Sequence, residues 1–190
     1  MRGLLAVTTR LSAAPKRRIL GHPPLKYTTS VPFTRGNPVL MPDPTLLVIE
    51  DAREHAILVR VAARRALPGL DVRVAGDGRE GIAYLAGTPP FQDRRSHPLP
   101  SLIILDLIMP EVDGFEVLKW IQEKRSPEKL PVVVLTSSQD PDAEGRSMKL
   151  GAVAFYRKPS DLDGLGRVVR EIVESYLGEE ILTGSLGTSF

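Results

Sequence analysis

Five short apolar runs, separated by segments with helical spacing, dominate the chain from Thr45 onward. The predicted strands, rich in aliphatic and β-branched residues, are residues 45–49, 71–75, 102–105, 131–135 and 153–156. The clearest helical face comprises Leu162, Leu165, Val168, Val169, Ile172, Val173, Tyr176 and Leu177. Strands that alternate with helices form βαβ units, whose parallel sheet is covered on both faces. The pattern therefore predicts an α/β fold.

The first 42 residues lack this periodicity and differ in composition. They contain seven Lys or Arg, no Asp or Glu, and many Pro, Ser and Thr, a composition typical of a disordered chain. We therefore predict a disordered basic extension over residues 1–42, a folded domain over residues 43–178 and a tail over residues 179–190. An organellar targeting peptide is a second interpretation of the extension. A third is that translation starts at Met41, just before the first strand.

Charge and composition exclude several classes of function. The net charge is +2, but without the extension's seven basic residues the remainder has 18 basic and 23 acidic residues, a balance of −5. A mildly acidic domain does not favour nucleic-acid binding. No apolar run approaches the roughly 20 residues needed to cross a bilayer, so we expect no membrane partner and a cytoplasmic location. The chain has no Cys and three scattered His, which argues against disulfides and zinc sites.

Polar residues follow four of the predicted strands. They are Glu50 and Asp51 after the first strand, Asp106 after the third, Thr136 after the fourth and Lys158 just beyond the fifth. In a doubly wound sheet of order 2-1-3-4-5 they converge at the carboxyl edge, where such folds place their chemistry. Two carboxylates 4 Å apart repel by about 4 kcal/mol at an effective dielectric constant of about 20. Lys158 and a divalent cation, with Mg²⁺ the natural candidate, would offset this repulsion, an arrangement that suits phosphoryl transfer.

Four motifs in this order resemble the signature of the receiver domains of two-component response regulators. They are Ile49-Glu50-Asp51, Leu105-Asp106-Leu107-Ile108-Met109-Pro110 with Asp113-Gly114, Leu135-Thr136-Ser137, and Lys158-Pro159. Each motif alone is weak, whereas their combination is specific. The resemblance extends from Thr45 to Leu177 and implies a flavodoxin-like (βα)5 fold with a five-stranded parallel sheet of order 2-1-3-4-5.

The resemblance also implies which residues accept the phosphoryl group and bind the metal. Asp106 would be the phosphoacceptor, and a sensor histidine kinase would be the donor. Glu50, Asp51 and Asp106 would bind Mg²⁺ together with the backbone carbonyl of Ile108. The first acid is Glu rather than Asp, a substitution that the family tolerates.

Three further residues complete the site that the resemblance implies. Thr136 would hydrogen-bond the phosphoryl group, Lys158 would pair with it, and Phe155 would act with Thr136 as an aromatic switch. Because Phe155 has no hydroxyl, such a switch cannot use a tyrosine hydrogen bond. His55, near the start of the first helix, is interpreted as a surface residue.

Residues 88–100 form a long connection with four prolines. With this insertion the chain resembles the stand-alone receivers paired with bacterial phytochrome-type histidine kinases. The 13 residues after the last helix are too few for a DNA-binding output domain. We therefore expect the signal to leave through a protein surface, by family analogy the fourth helix, fifth strand and fifth helix, which could form a homodimer or contact a partner.

Several alternatives remain open. Residues 76–81 fit G-x-G-x-x-G, but they follow the second strand and no acidic residue ends a strand about 20 residues later, which argues against dinucleotide binding. The favoured function is a phosphorylatable, single-domain signalling protein that is not an enzyme. The second is a phosphorylation-independent interaction module of the same fold. The third is a phosphate-ester hydrolase, but Ile108 stands where a haloacid-dehalogenase-type phosphatase would have its second acid.

Overall fold

The structure, a computed structural model, describes residues 44–124 and 130–184. Five strands and five helices alternate along this part of the chain. The strands are β1 (Thr45–Ile49), β2 (Asp71–Ala75), β3 (Leu102–Leu105), β4 (Val132–Thr136) and β5 (Ala154–Arg157), and the helices are α1 (Arg53–Ala66), α2 (Gly78–Ala86), α3 (Gly114–Lys124), α4 (Ala143–Lys149) and α5 (Leu162–Gly184). This alternation confirms the predicted α/β class.

The strands form one parallel sheet in the order β2-β1-β3-β4-β5, as predicted. Val48 in the first strand pairs with Val74 on one side and with Ile104 on the other, which places β1 inside the sheet. One apolar cluster joins the sheet to α1 and α5, and a second joins it to α2, α3 and α4. Because both faces are covered, β1, β3 and β4 are buried along their whole length.

Strands β4 and β5 each begin and end one residue later than predicted. Pro131 lies just before β4 and only accepts a ladder bond, from the Ile103 amide, because proline has no amide hydrogen. At the other end, Thr136 pairs with Arg157. Because both of these residues are polar, apolar runs alone predict the end of each strand one residue too early.

Side-chain caps define where two helices begin. At α2, the Asp77 carboxylate accepts from the Glu80 amide at 2.7 Å. At α3, Asp113 and Glu116 exchange hydrogen bonds, each carboxylate accepting from the other residue's amide at 2.9 and 3.0 Å. This capping box places the Asp113-Gly114 motif at the N-terminus of α3.

Glycines in the G-x-G-x-x-G segment allow close packing. A Cβ on Gly78 would lie 2.2 Å from the carbonyl oxygen of Val112, and a Cβ on Gly81 would lie 2.7 Å from Cδ1 of Ile49. Both distances are too short for a Cβ unless the neighbour moves. The second and third glycines of the segment are therefore explained by contacts of α2 with the loop before α3 and with β1.

The long connection at residues 88–100 is held against the last turn of α2. The Arg94 guanidinium donates to the carbonyl oxygens of Tyr84 at 2.8 Å and Leu85 at 3.0 Å, both in the last turn of α2. The Phe91 ring packs 5.2 Å from the Tyr84 ring. Because α2 leads back to the start of β3, this loop lies at the amino ends of the strands, opposite the candidate site.

Helix α5 continues to Gly184, so the predicted domain end at Gly178 falls inside a helix. The predicted disordered extension over residues 1–42, and the end of the predicted tail from residue 185, lie outside the described residues. Within the described ranges, no helix is both long enough and apolar enough to span a membrane.

Candidate functional site

The sheet places the predicted site residues at the carboxyl ends of its strands. Glu50 directly follows β1, Asp106 follows β3 and Lys158 follows β5. The Asp106 amide donates to the Ile49 carbonyl oxygen at 3.0 Å, and the Lys158 amide donates to the Thr136 carbonyl oxygen at 2.7 Å. These hydrogen bonds continue the sheet beyond the end of each strand, so the backbone at the site is fixed in the same way as the strands.

Two acids share the ammonium group of Lys158. Its Nζ lies 2.6 Å from Oε2 of Glu50 and 2.6 Å from Oδ2 of Asp106. The Lys158 side chain is only 6% exposed, and each carboxylate is 4% exposed. Buried charges of this kind require pairing, and here a single cation lies between two anions.

A third acid adds to the negative charge. Carboxylate oxygens of Glu50, Asp51 and Asp106 all lie within 4.8 Å of one another, and Asp51 is exposed. The other carboxylate oxygen of Asp106, Oδ1, accepts from the Ile108 amide at 3.2 Å, which brings the backbone of the predicted carbonyl ligand next to the cluster. Oxygen donors with excess negative charge fit a hard divalent cation such as Mg²⁺.

The environment of Glu50 disfavours its ionised form. Burial raises the pKa of Glu50 above its ordinary value of 4.5, and the charge of Asp106 adds to this effect. The hydrogen bond and the charge of Lys158 lower the pKa, but they offset only part of the shift. The ionised form of Glu50 is therefore less favourable in the folded protein than in water.

Thr136 is fully buried at the end of β4. Its hydroxyl oxygen accepts from the Ser138 amide at 3.2 Å, and that contact does not use the hydroxyl proton. The structure thus brings Thr136 to the same edge as the acids with a donor that another acceptor could use.

Phe155 lies in β5 beside Val134 of β4. Its side chain is partly buried against the apolar cluster on the side of α2, α3 and α4. The Arg157 guanidinium carbon lies 5.8 Å from the centre of the ring. This position is compatible with the predicted switch.

His55 reaches the site although sequence analysis interpreted it only as a surface residue. The side chain is 44% exposed, but its Nδ1 lies 3.3 Å from Nζ of Lys158 and 3.3 Å from Oε1 of Glu50. The available signal was its place in the first turn of α1, which begins three residues after Glu50.

Arg157 is a second residue near the site that sequence analysis did not single out. Its guanidinium donates to the carbonyl oxygens of Ser138 and Asp140, the second at 3.4 Å. Arg157 thereby ties β5 to the loop that follows Thr136. Its position next to Lys158 in the sequence was the only available indication of this contact.

The comparison with protein families identifies the class of protein that this fold and site define. The family described as "response regulator receiver domain" matches residues 46–170. The chain belongs to this family, as the motifs predicted. Members are generally signalling proteins rather than enzymes, although some are joined to enzymatic output domains, and they bind divalent metal ions.

The similar proteins include regulators that this chain covers over most of their length. Response regulator Rcp1 of Synechocystis is 29% identical over 136 residues, covering 72% of this chain and 90% of Rcp1. The probable methanogenesis regulatory protein FilR2 of Methanothrix harundinacea is 34% identical over 135 residues, covering 70% of this chain and 83% of FilR2. The predicted resemblance to phytochrome-associated receivers is therefore confirmed alongside a relative with a different regulatory name.

Solved structures support the same assignment. The phosphorylated cyanobacterial phytochrome response regulator RcpA has a TM-score of 0.67 at 29% identity and covers 72% of this chain and 96% of its own. Response regulator RPA3017, described in red light signalling of R. palustris, has a TM-score of 0.64 at 27% identity and covers 77% and 99%. A structure of Rcp1, with a TM-score of 0.62 at 29% identity over 69% of this chain and 92% of its own, holds Mn²⁺. These similarities confirm the flavodoxin-like receiver fold.

Proposed function

We propose that this protein is a single-domain response regulator that accepts a phosphoryl group on Asp106 from a sensor histidine kinase. The observation that carries the proposal is the Lys158 ammonium 2.6 Å from Asp106, beside an acidic cluster suited to a divalent cation. Phosphoryl transfer depends mostly on positioning and charge neutralisation. A buried carboxylate paired with a lysine meets both requirements.

In the proposed reaction an Asp106 carboxylate oxygen attacks the phosphorus atom of a phosphohistidine. The new O–P bond forms as the P–N bond breaks, and the leaving imidazole keeps the electron pair. Lys158 donates hydrogen bonds to the transferred oxygens, and Thr136 donates its hydroxyl proton to them. Later attack by water releases inorganic phosphate and regenerates the Asp106 carboxylate.

The metal in this proposal is Mg²⁺. The carboxylates of Glu50, Asp51 and Asp106 and the carbonyl of Ile108 would hold it, and it would supply positive charge for the phosphoryl oxygens. The oxygen-only donor set supports this assignment.

Signalling requires that phosphorylation change a surface. We infer that the Thr136 hydroxyl follows the new phosphoryl oxygens, that the loop after β4 moves with it, and that Phe155 turns into the space left behind. Shifting a two-state equilibrium from 1:99 to 99:1 takes about 5.5 kcal/mol. A few charge-assisted hydrogen bonds, each worth about 1.5–3 kcal/mol, are of this order.

The proposed partners follow from the family. The description of RcpA as a phytochrome response regulator favours a phytochrome-type histidine kinase. The face formed by α4, β5 and α5 is the proposed surface for a homodimer or a target protein. Size-exclusion measurements with and without beryllofluoride, which mimics the acyl phosphate, test dimerisation. We propose a cytoplasmic location and no membrane partner. The mildly acidic charge of the domain argues against a nucleic-acid partner.

Phosphorylation can be tested with a small-molecule donor. Incubation with acetyl phosphate and Mg²⁺ should add one group of about 80 Da to the wild type, and Asp106→Asn should abolish the addition. Asp163→Asn is the matched control, because Asp163 is an exposed carboxylate in the first turn of α5 and should leave labelling unchanged. Labelling that persists in Asp106→Asn would contradict the assignment.

The same variant separates the proposal from a phosphorylation-independent interaction module. If Asp106→Asn binds a partner as tightly as the phosphorylated wild type does, phosphorylation is not the signal. Loss of that binding, with an unchanged melting temperature, supports the proposed function.

A further inference from the structure

The buried ammonium of Lys158 has three N–H donors, and two carboxylates account for two of them. These bonds, to Glu50 and Asp106, are both 2.6 Å long. With 6% of the side chain exposed, little solvent is available for the third donor. A buried donor without an acceptor is costly, so the third N–H requires a partner.

His55 is positioned to be that partner. Its Nδ1 lies 3.3 Å from Nζ of Lys158. An ammonium group only donates, so a hydrogen bond between these two atoms requires a lone pair on Nδ1 and places the ring proton on Nε2. The neighbouring Oε1 of Glu50, also 3.3 Å away, would take over the contact only if Nδ1 carried a proton.

We propose that His55 is a positioning residue whose Nδ1 accepts the third hydrogen bond of the Lys158 ammonium. The inference rests on the proposed function, in which Lys158 contacts the phosphoryl group on Asp106. With acceptors in three directions the ammonium has one orientation. Without His55 the Lys158 side chain can rotate about its terminal bonds, and a smaller fraction of molecules holds the ammonium in the orientation that contacts the incoming phosphoryl group.

The contact should affect the reaction rate more than donor binding. In His55→Ala we expect the maximal rate of phosphorylation by phosphoramidate, at saturating Mg²⁺, to fall about five- to tenfold, the effect of losing one ordinary hydrogen bond. The donor concentration that gives half the maximal rate should not change. His55→Asn places a carbonyl oxygen close to the position of Nδ1 and should recover most of the rate.

Ile57→Ala is the matched control. Ile57 lies two residues further along α1 and is 41% exposed, so its truncation perturbs the same helix and should leave the rate unchanged. Equal rates for wild type and His55→Ala would overturn the proposal. It would also be overturned if His55→Asn were as slow as His55→Ala while both melted at the wild-type temperature, because the acceptor would then be irrelevant.

A second measurement does not depend on phosphorylation. Nitrogen-15 NMR of the imidazole in the metal-free protein should show an unprotonated Nδ1 and a proton on Nε2 of His55. A proton on Nδ1 would assign the contact to Glu50 and overturn the inference. If the wild type is never phosphorylated, the proposed function fails, whereas the tautomer still tests the contact between His55 and Lys158.

Discussion

Replacing Lys158 with methionine tests how strongly one ammonium stabilises the acidic site. Methionine has a similar length and no charge, so the main change is the loss of the cation between Glu50 and Asp106. Both carboxylates are 4% exposed and would remain buried. The variant therefore isolates the electrostatic contribution of the pair of contacts.

The magnitude follows from the geometry. At 2.6 Å and an effective dielectric constant of about 20, each contact is worth about 6 kcal/mol of Coulomb energy. Desolvation costs several kcal/mol for each buried ion and offsets much of this energy, so removing one partner of a buried pair destabilises by about 3–5 kcal/mol. Because the pKa of Glu50 is already raised, protonation of Glu50 at lower pH should reduce the loss.

The assay is urea unfolding of metal-free protein in EDTA near neutral pH. We expect Lys158→Met to lower the free energy of unfolding by about 3–5 kcal/mol, and added Mg²⁺ should restore part of the loss by binding the carboxylates that have lost their cation. Lys119→Met is the control, since Lys119 is exposed on α3 and should change stability by less than about 0.5 kcal/mol. A loss in Lys158→Met no larger than that of the control would refute the electrostatic account.

Three further predictions follow from single contacts. Because the pKa of Glu50 is raised above 4.5, the folded state binds more protons than the unfolded state, and the stability of the metal-free protein should fall as pH rises from about 4.5 through the raised pKa. In urea unfolding at several pH values, Glu50→Gln should reduce this pH dependence, and an unchanged pH dependence would show that Glu50 is not its source. Arg157→Ala should speed amide hydrogen exchange of residues 137–142, with α1 amides as the internal reference. In Gly114→Ala a Cβ would lie 2.2 Å from the Asp106 carbonyl oxygen, which should lower the free energy of unfolding by about 1–3 kcal/mol. An unchanged free energy of unfolding would show that the backbone after Asp106 moves to make room for the methyl group.

The fold and the positions of the acids were predictable because both depend on the regular alternation of strands and helices. Each of the five strands contains an apolar run, and parallel strands present their carboxyl ends at one edge of the sheet, so Glu50, Asp106 and Lys158 could be placed together without side-chain detail. The ends of β4 and β5 were missed by one residue because polar residues complete the ladder there.

Contacts that depend on individual side chains were not predictable. The contact between His55 and Lys158 joins residues 103 positions apart and depends on how α1 lies over the edge of the sheet. Arg157 binds backbone carbonyls in an irregular loop, and Arg94 does so at the end of α2. Backbone acceptors of this kind are present at every residue, so no pattern of residue types reveals which ones a long cation will reach.

Phosphorylation of Asp106 is tested most directly by trapping the product and mapping it. Borohydride converts an aspartyl phosphate to homoserine, so a sample treated with acetyl phosphate and Mg²⁺, then reduced and digested, should contain homoserine at position 106 and aspartate at position 51. Aspartate at 106 in every peptide, or homoserine at another position, would contradict the account.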